Sequence, residues 1–310
     1  MVAFCRVDWD YRAMSEDSAV ERALRMQIID WVHERAEANG YLHRDELLGY
    51  SIDGQKLPII DYSRGIRNPA TFASTLSIVS TANGPYDDLE SSDGLLHYAY
   101  RAGDPQGSDN RKLRNALVTR QPIILFRKEV ANVYTPVAPA YVVGDDPASR
   151  TFLVAFDESL TLLPDPGAMT DLQKEYAMRV ARQRLHQPAF RTRVMVAYAS
   201  RCAVCELKYG SLLDAAHILP DSDLRGVPTT DNGMALCKIH HVAYDRDMLG
   251  ITPDYKVKIS PRVLGDTDGP MLTHGLQAMH DRPLVVPKRA ADRPNRDYLA
   301  ERFENFANAG

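Results

Sequence analysis

Three of the four cysteines share a short stretch of the chain with a histidine at metal-ligand spacing. Cys202 and Cys205 form a C-x-x-C pair, and Cys237 and His240 form a C-x-x-H pair further along. Two such chelating turns can present four ligands tetrahedrally to one Zn²⁺ ion. The plainer alternative, unpaired buried thiols, does not explain the histidine at this position. The spacing therefore predicts a structural zinc site that contributes directly to the folding free energy of its module.

A second set of metal-type residues is interleaved with the first: Asp214, His217, Asn232, His241 and Asp245. An imidazole titrates near neutral pH, so a histidine can take a proton from an attacking water molecule. Carboxylate and imidazole ligands together suit Mg²⁺, Mn²⁺ or a similar divalent ion. These residue types indicate metal-assisted hydrolysis.

Local patterning predicts how these side chains are positioned. Residues 214–220 are typical of a strand, and a polar loop follows as far as Asn232. Residues 236–246 predict a helix, on which His241 and Asp245 share a face because they lie four positions apart. A strand–loop–helix order can place His217 across from them.

This segment, from Cys202 to Leu249, resembles the ββα-metal (HNH) endonuclease motif in the zinc-stapled form of McrA-type restriction endonucleases. The matching residues are His217, Asn232 and His241, which lie in the sequence segments AAHILP, NGMALC and HHVAYD. The resemblance implies phosphodiester hydrolysis, in which a divalent cation stabilises the developing charge and the leaving oxygen. It implies that His217 is the general base, that His241 binds the catalytic cation, and that Asn232 organises the loop that aims His217.

One position departs from the family pattern. Many HNH enzymes carry Asp or His immediately before the general base as a metal ligand, whereas this chain has Ala216. Asp214 or Asp245 must then complete the metal shell. Asp245 lies one turn beyond His241, and Asp214 could equally be a turn or surface carboxylate, so the choice stays open.

The preceding part of the chain is typical of a mostly-β domain with few helices. An apolar stripe predicts a helix over 15–40, with Ser18 in a capping box. Further helices are predicted over 110–119 and over 170–186, the last ended by Pro188. Alternating and β-branched residues predict strands over 75–80, 95–100, 122–126, 134–143 and 151–155.

Short blocks in this region resemble the SRA domain, which recognises 5-methylcytosine by flipping it out of the duplex. The blocks are LSI (76–78), GPYDD (84–88), DGLLHYAYR (93–101), DNRKL (109–113) and PIILF (122–126), followed by Tyr134 and Tyr141. A flipped base needs aromatic faces to stack on and a carboxylate for the cytosine amine. The resemblance implies that Asp88 contacts the base edge and that Tyr86 and Tyr100 stack on the ring. Tyr98 is the remaining candidate for this pocket. Alternatively, the tyrosines are strand core and GPYDD is only a turn.

Arginines supply the candidate DNA contacts. The net charge is −4 and the pI is about 6.1, so any DNA-binding surface must come from local clustering of cations. Arg101 ends the SRA-like block 93–101, Arg64 precedes the first block, and Arg191 and Arg193 belong to an arginine-rich segment. Each of the four could equally be an ordinary surface or structural residue.

The expected fold class is α+β: an N-terminal SRA-like, mostly-β domain and a C-terminal zinc-stapled ββα-metal (HNH) domain. The chain contains no apolar run of membrane-spanning length and begins without a signal-peptide pattern, so we expect a cytoplasmic protein with no membrane partner. The expected limits are 1–55 for a helical segment, 56–162 for the SRA-like domain, 163–198 for a helical linker and 199–310 for the nuclease domain with its tail.

The expected function is that of a modification-dependent, type IV-like restriction endonuclease acting on cytosine-modified double-stranded DNA. One HNH site cleaves one strand, so cutting both strands predicts a homodimer. The N-terminal domain could instead recognise another mark, such as phosphorothioate, or plain sequence. A different class of protein, a zinc-containing DNA-binding module without catalysis, is disfavoured by His217 and Asn232, which a purely structural knuckle does not need.

Overall fold

The computed structural model describes residues 15–81, 89–90, 93–220, 223 and 225–309. The chain divides into two compact units, one formed by Met1–Arg35 with Leu42–Arg184 and the other by Ala36–Tyr41 with Leu185–Gly310. Both units combine helices and strands, which confirms the α+β class. The segment predicted as a linker, 163–198, is shared between the two units. Among the helices that the structure describes, none has the length and apolar character that crossing a bilayer requires.

An eight-stranded sheet lies at the centre of the first unit. The strands of this unit are β1 (Leu42–His43), β2 (Ser51–Ile52), β3 (Gln55–Lys56), β4 (Ile66–Arg67), β5 (Ser77–Thr81), β6 (Leu89–Glu90), β7 (Leu96–Ala99), β8 (Ile123–Val130), β9 (Val133–Asp146) and β10 (Thr151–Ala155). The sheet order is β4-β5-β8-β9-β10-β7-β6, with β1 paired to β9 beside this path, while β2 and β3 form a separate hairpin. The long strand β9 pairs with β8 through its first half and with β10 through its second half, so the sheet curls around it.

Four helices accompany this sheet: α1 (Ser15–Ala36), α2 (Arg44–Gly49), α3 (Ser108–Thr119) and α4 (Asp171–Ala181). Ser18 lies inside α1, so its predicted role as the helix cap is wrong. Arg25 of α1 is fully buried. Its guanidinium contacts the Glu21 carboxylate at 2.5 Å and donates to the backbone carbonyls of Thr75 at 2.6 Å and Ser74 at 2.9 Å. These contacts fix α1 to the loop that enters β5.

The second unit contains a small hairpin, a short helix and a C-terminal subregion. The hairpin pairs β11 (Leu213–His217) with β12 (Gly233–Cys237), and α6 (Lys238–Asp245) follows directly. The other elements are α5 (Gln187–Ala197), β13 (Leu249–Ile251), β14 (Val257–Ile259), α7 (Pro261–Leu264), α8 (Pro270–Gly275) and α9 (Arg296–Ala309).

Two predicted boundaries in this region are wrong. Pro188 does not end a helix: it stands in the first turn of α5, which follows α4 directly through a π-helical turn at Arg182–His186. The helix predicted over 236–246 begins two residues later, because Leu236 and Cys237 belong to β12. Every residue of β12 is buried, so the strand shows no polar–apolar alternation in the sequence.

Candidate metal centre and nuclease site

Four ligand-type side chains of the second unit converge: Cys202, Cys205, Cys237 and His240. One ligand atom from each lies within 4.8 Å of the others. The sulfurs of Cys205 and Cys237 are 4.0 Å apart, and Nδ1 of His240 lies 3.4 Å from the Cys202 sulfur and 3.1 Å from the Cys237 sulfur. Tetrahedral ligands at about 2.3 Å for sulfur and about 2.0 Å for nitrogen have separations of this size. The four side chains therefore fit a metal ion such as Zn²⁺.

Local structure prepares this cluster for a metal. The Nε2 atom of His240 lies 2.8 Å from the carbonyl oxygen of Gly275, which can only accept, so Nε2 carries the proton and Nδ1 is left for the ion. Hydrogen bonds from the thiols of Cys205 and Cys237 lower the pKa of the Cys202 thiol, which favours its thiolate form. Because Cys237 directly precedes α6, His240 lies in the first turn of that helix.

The β11–β12 hairpin positions His217 and Asn232. His217 is the last residue of β11 and pairs with Gly233. Asn232 is fully buried, and its side-chain oxygen accepts from the Leu219 N–H at 2.9 Å. Its amide nitrogen donates to the carbonyls of Leu219 and Val227, both at 3.2 Å. Asn232 therefore holds the two ends of the loop that follows His217.

Helix α5 supports the half-buried imidazole of His217. The rings of Phe190 and His217 are stacked, with centroids 4.1 Å apart and planes 20° apart. A Cβ atom on Gly233 would lie 2.6 Å from Val194 Cγ2 and 2.9 Å from the Phe190 ring. Only glycine at this position lets α5 pack so closely against the end of the hairpin.

A carboxylate–imidazole group connects β11 to α6. Nδ1 of His241 lies 3.3 Å from Asp214, and Nε2 lies 3.5 Å from Asp245. Asp214 also contacts the ammonium of Lys238 at 2.6 Å. Burial alone raises the pKa of Asp214, but hydrogen bonds with Lys238 and His241 outweigh it and hold the pKa below its ordinary value. Asp214 is therefore a carboxylate, and the two aspartates face opposite nitrogens of one ring.

The first unit contains a cavity of about 430 Å³. Four residues proposed from the sequence line it: Arg64, Tyr98, Tyr100 and Arg101. The other two pocket candidates, Tyr86 and Asp88, lie outside the described residues. The remaining described lining residues are Arg44, Ile60, Asp61, Tyr62, Ser63, Gly65, Ile66, Val79, Thr81, Ala99, Lys128 and Tyr134.

The two lining tyrosines are firmly held. The Tyr98 hydroxyl donates to the carbonyl of Gly65 at 3.1 Å. The Tyr100 ring lies 4.7 Å from the Phe152 ring, and its hydroxyl donates to Asp145. Burial and the hydrogen bond to Asp145 raise the pKa of Tyr100 to about 12, so the phenol stays neutral. Both tyrosines are buried in the core of the first unit and also border the cavity, with their hydroxyls held by hydrogen bonds.

Arg191 and Arg193, proposed as DNA contacts, have structural partners in the second unit. The Arg191 guanidinium donates to the carbonyls of Asn39 at 3.2 Å, Gly210 at 3.0 Å and Leu213 at 2.9 Å. Arg193 donates to the carbonyl of Pro228 at 2.8 Å. These bonds orient both side chains for the fold, and contact with DNA stays a prediction.

Sequence reasoning missed three residues that contact the site. Lys238 lies three positions before His241, a helical spacing that could have revealed it. Phe190 stacks on His217 from another element, and Gly275 accepts from His240 across a long loop, so no local signal marks either of them.

The hairpin, helix and sulfur-rich cluster define a small nuclease module of the ββα-metal type. Residues 202–252 match the family model described as HNH endonuclease, and no curated protein matches the chain. Among solved structures, the chain is similar to one described as "Modification dependent TagI restriction endonuclease", with 17% identity, a TM-score of 0.26, and coverage of 79% of this chain and 86% of that chain. Residues 202–252 form an HNH endonuclease domain, and the chain is a nuclease.

Proposed function

We propose that this nuclease is a modification-dependent restriction endonuclease that cuts double-stranded DNA containing 5-methylcytosine or a related modified cytosine. The observation that carries the hydrolytic part is the group in which His241 lies between Asp214 and Asp245. The cavity of the first unit supports the recognition part, because its volume of about 430 Å³ is that of a small-ligand pocket.

His217 is the general base in this proposal. It stands at the end of β11, stacked on Phe190, so its ring has a defined orientation. Proton transfer requires such positioning, since a base must lie within hydrogen-bond reach of the water that it activates. Asn232 contributes as a positioning residue, because it pins the loop next to His217.

His241 and Asp245 would hold the divalent cation. When bound, the cation stabilises charge on the phosphate and on the leaving oxygen. An ion on one ring nitrogen faces only one aspartate, because Asp214 lies at Nδ1 and Asp245 at Nε2. Asp214 is already paired with Lys238, whereas the Asp245 side chain is 59% exposed. We therefore assign the ion to Nε2 and Asp245, and orientation of the ring to Asp214.

Base flipping explains how the first unit would recognise a modified cytosine. A flipped base must enter a concave site with aromatic walls, and Tyr98 and Tyr100 supply such walls. Recognition by this unit and cleavage by HNH sites on two copies of the chain would cut both strands, so the proposal includes a homodimer.

The test is digestion of one plasmid, prepared with and without cytosine methylation, in a series of Mg²⁺ and Mn²⁺ concentrations. We expect cleavage of the methylated form alone. Cleavage that requires phosphorothioate, or that ignores modification, would contradict the recognition part and leave the hydrolytic part intact.

Three variants test the hydrolytic part. His217→Ala should lose cleavage by several orders of magnitude, as general-base removal typically costs roughly 10²–10⁴-fold or more. Asp245→Asn should raise the Mn²⁺ concentration needed for half-maximal cleavage, whereas Asp214→Asn should lower the rate with little change in that concentration. Wild-type cleavage by His217→Ala would overturn the assignment of the base.

A further inference from the structure

The cavity of the first unit carries more positive charge than stacking on a neutral base requires. Among its described lining residues, the cations are Arg44, Arg64, Arg101 and Lys128, and the carboxylate is Asp61. Aromatic walls alone suffice to hold the face of a base. The cations therefore need a separate explanation.

Two of the four cations are partly neutralised. Arg64 contacts Asp61 at 2.6 Å and Asp109 at 3.5 Å, and Arg101 also pairs with Asp109. The side chain of Asp109 is 5% exposed, so it lies behind the cavity wall. These two aspartates balance two of the positive charges.

The other two cations have no carboxylate partner in the part of the chain that the structure describes. Arg44 donates to the backbone carbonyl of Tyr62 at 2.6 Å, which carries no net charge. Strand pairing brings Arg44 and Lys128 near the same end of β9. Tyr134 of β9 pairs with Lys128 on one side and with Leu42, two residues before Arg44, on the other. Two uncompensated positive charges thus share this cavity.

We propose that Arg44 and Lys128 form an anion subsite beside the base pocket. This inference rests on the proposed recognition of a flipped nucleotide. Its ligand is an anionic group carried by that nucleotide, either the adjoining phosphate or a carboxylate at C5 of the base. Guanidinium and ammonium groups bind both anions through charge-assisted hydrogen bonds, which are stronger than neutral ones. The subsite would add affinity for the nucleotide as a whole.

The experiment measures binding by calorimetry with the full chain. The first arm compares 5-methyl-2′-deoxycytidine with its 5′-monophosphate. The second compares duplexes that carry 5-carboxylcytosine, 5-methylcytosine or unmodified cytosine. We expect one comparison to show roughly tenfold tighter binding of the more anionic ligand, the size of one hydrogen bond to a charged group. Lys128→Gln and Arg44→Gln should each remove that advantage, and Lys174→Gln, on α4 away from the cavity lining, should keep it.

Each outcome decides between phosphate, carboxylate and neither. An advantage in the first arm assigns the anion to the phosphate, and an advantage in the second assigns it to the base substituent. No advantage in either arm, or one that survives both cavity variants, overturns the subsite. A methylated duplex that still binds better than an unmodified one would then show that the proposed function stands without it. If the methylated duplex also binds no better than the unmodified one, both the anion subsite and the proposed recognition of modified cytosine are refuted.

Discussion

Asn232 offers the sharpest test of how the nuclease module is held together. Asn232→Ala leaves the buried N–H of Leu219 without its acceptor and removes a donor from two carbonyls. An unsatisfied buried donor costs about 1–3 kcal/mol, and each lost hydrogen bond about 1 kcal/mol, so the expected loss of stability is on the order of 3 kcal/mol. That is a large fraction of the usual stability of a domain, which is about 5–15 kcal/mol.

Thermal unfolding followed by calorimetry measures this loss. At about 2–4 °C per kcal/mol for a domain of this size class, the transition of the second unit should fall by roughly 6–12 °C. Asn232→Asp keeps the acceptor for Leu219 but buries a carboxylate whose second oxygen faces two carbonyl oxygens, so its transition should fall at least as far as that of Asn232→Ala. Both variants should cleave slowly even well below their transitions, because the loop beside His217 is no longer fixed.

The control is Asn115→Ala, which removes one amide with a single hydrogen bond to the Ala73 carbonyl in the first unit. It should leave cleavage unchanged. A transition of Asn232→Ala within 1 °C of wild type (about 0.3 kcal/mol) would refute this reasoning, and so would wild-type cleavage by that variant.

Four further predictions concern other contacts. Cys202→Ala should expose the second unit to limited proteolysis, because the metal cluster loses a ligand; unchanged fragments would contradict this. Gly233→Ala should slow single-turnover cleavage about 10²-fold by displacing Phe190 from His217, while Gly269→Ala, with open space around its Cβ position, should not. Arg25→Met leaves the Glu21 carboxylate without its cation, with hydrogen bonds only from Ala73 and Ser74 among the described residues, and should lower the urea-derived free energy of unfolding by about 3 kcal/mol. Burial raises the pKa of Asp61, but hydrogen bonds with Arg64 outweigh burial and lower this pKa to about 2, against about 3.9 in an unfolded chain. The stability that Asp61 contributes is therefore complete above pH ~4 and is lost as the pH falls towards ~2. Asp61→Asn should make the free energy of unfolding less dependent on pH in this range.

Regular local patterns explain which elements the sequence could predict. The strand predicted over 151–155 coincides with β10, since its β-branched and aromatic residues lie between clear turns. In contrast, the helix predicted over 236–246 includes Leu236 and Cys237, the last two residues of β12, because the buried apolar sequence GMALC is compatible with either structure. Pro188 predicts a helix end because proline disfavours a helical residue before it, whereas the structure continues through a π-helical turn into α5.

Site residues that are close in sequence could likewise be predicted, whereas those brought together only by the fold could not. The Cys–His ligands were predictable because each pair lies within a single turn of chain. The opposite placement of Asp214 and Asp245 around His241 was not, since it depends on how β11 lies against α6. The cations at the cavity come from a helix, two loops and a strand (Arg44 begins α2, Arg64 precedes β4, Arg101 follows β7 and Lys128 lies in β8), and only the folded unit brings them together.

Adjacent residues of α6 serve different groups: His240 belongs to the sulfur cluster, and its neighbour His241 contacts the two aspartates. Successive helical residues project about 100° apart, so one turn of backbone supports both imidazoles. A chelator that strips the cluster would consequently disturb His241 as well. Inhibition by EDTA therefore combines the loss of the catalytic cation with the loss of the structural ion. A weak chelator that binds Mg²⁺ but leaves the Cys–His cluster loaded is needed to separate the two effects.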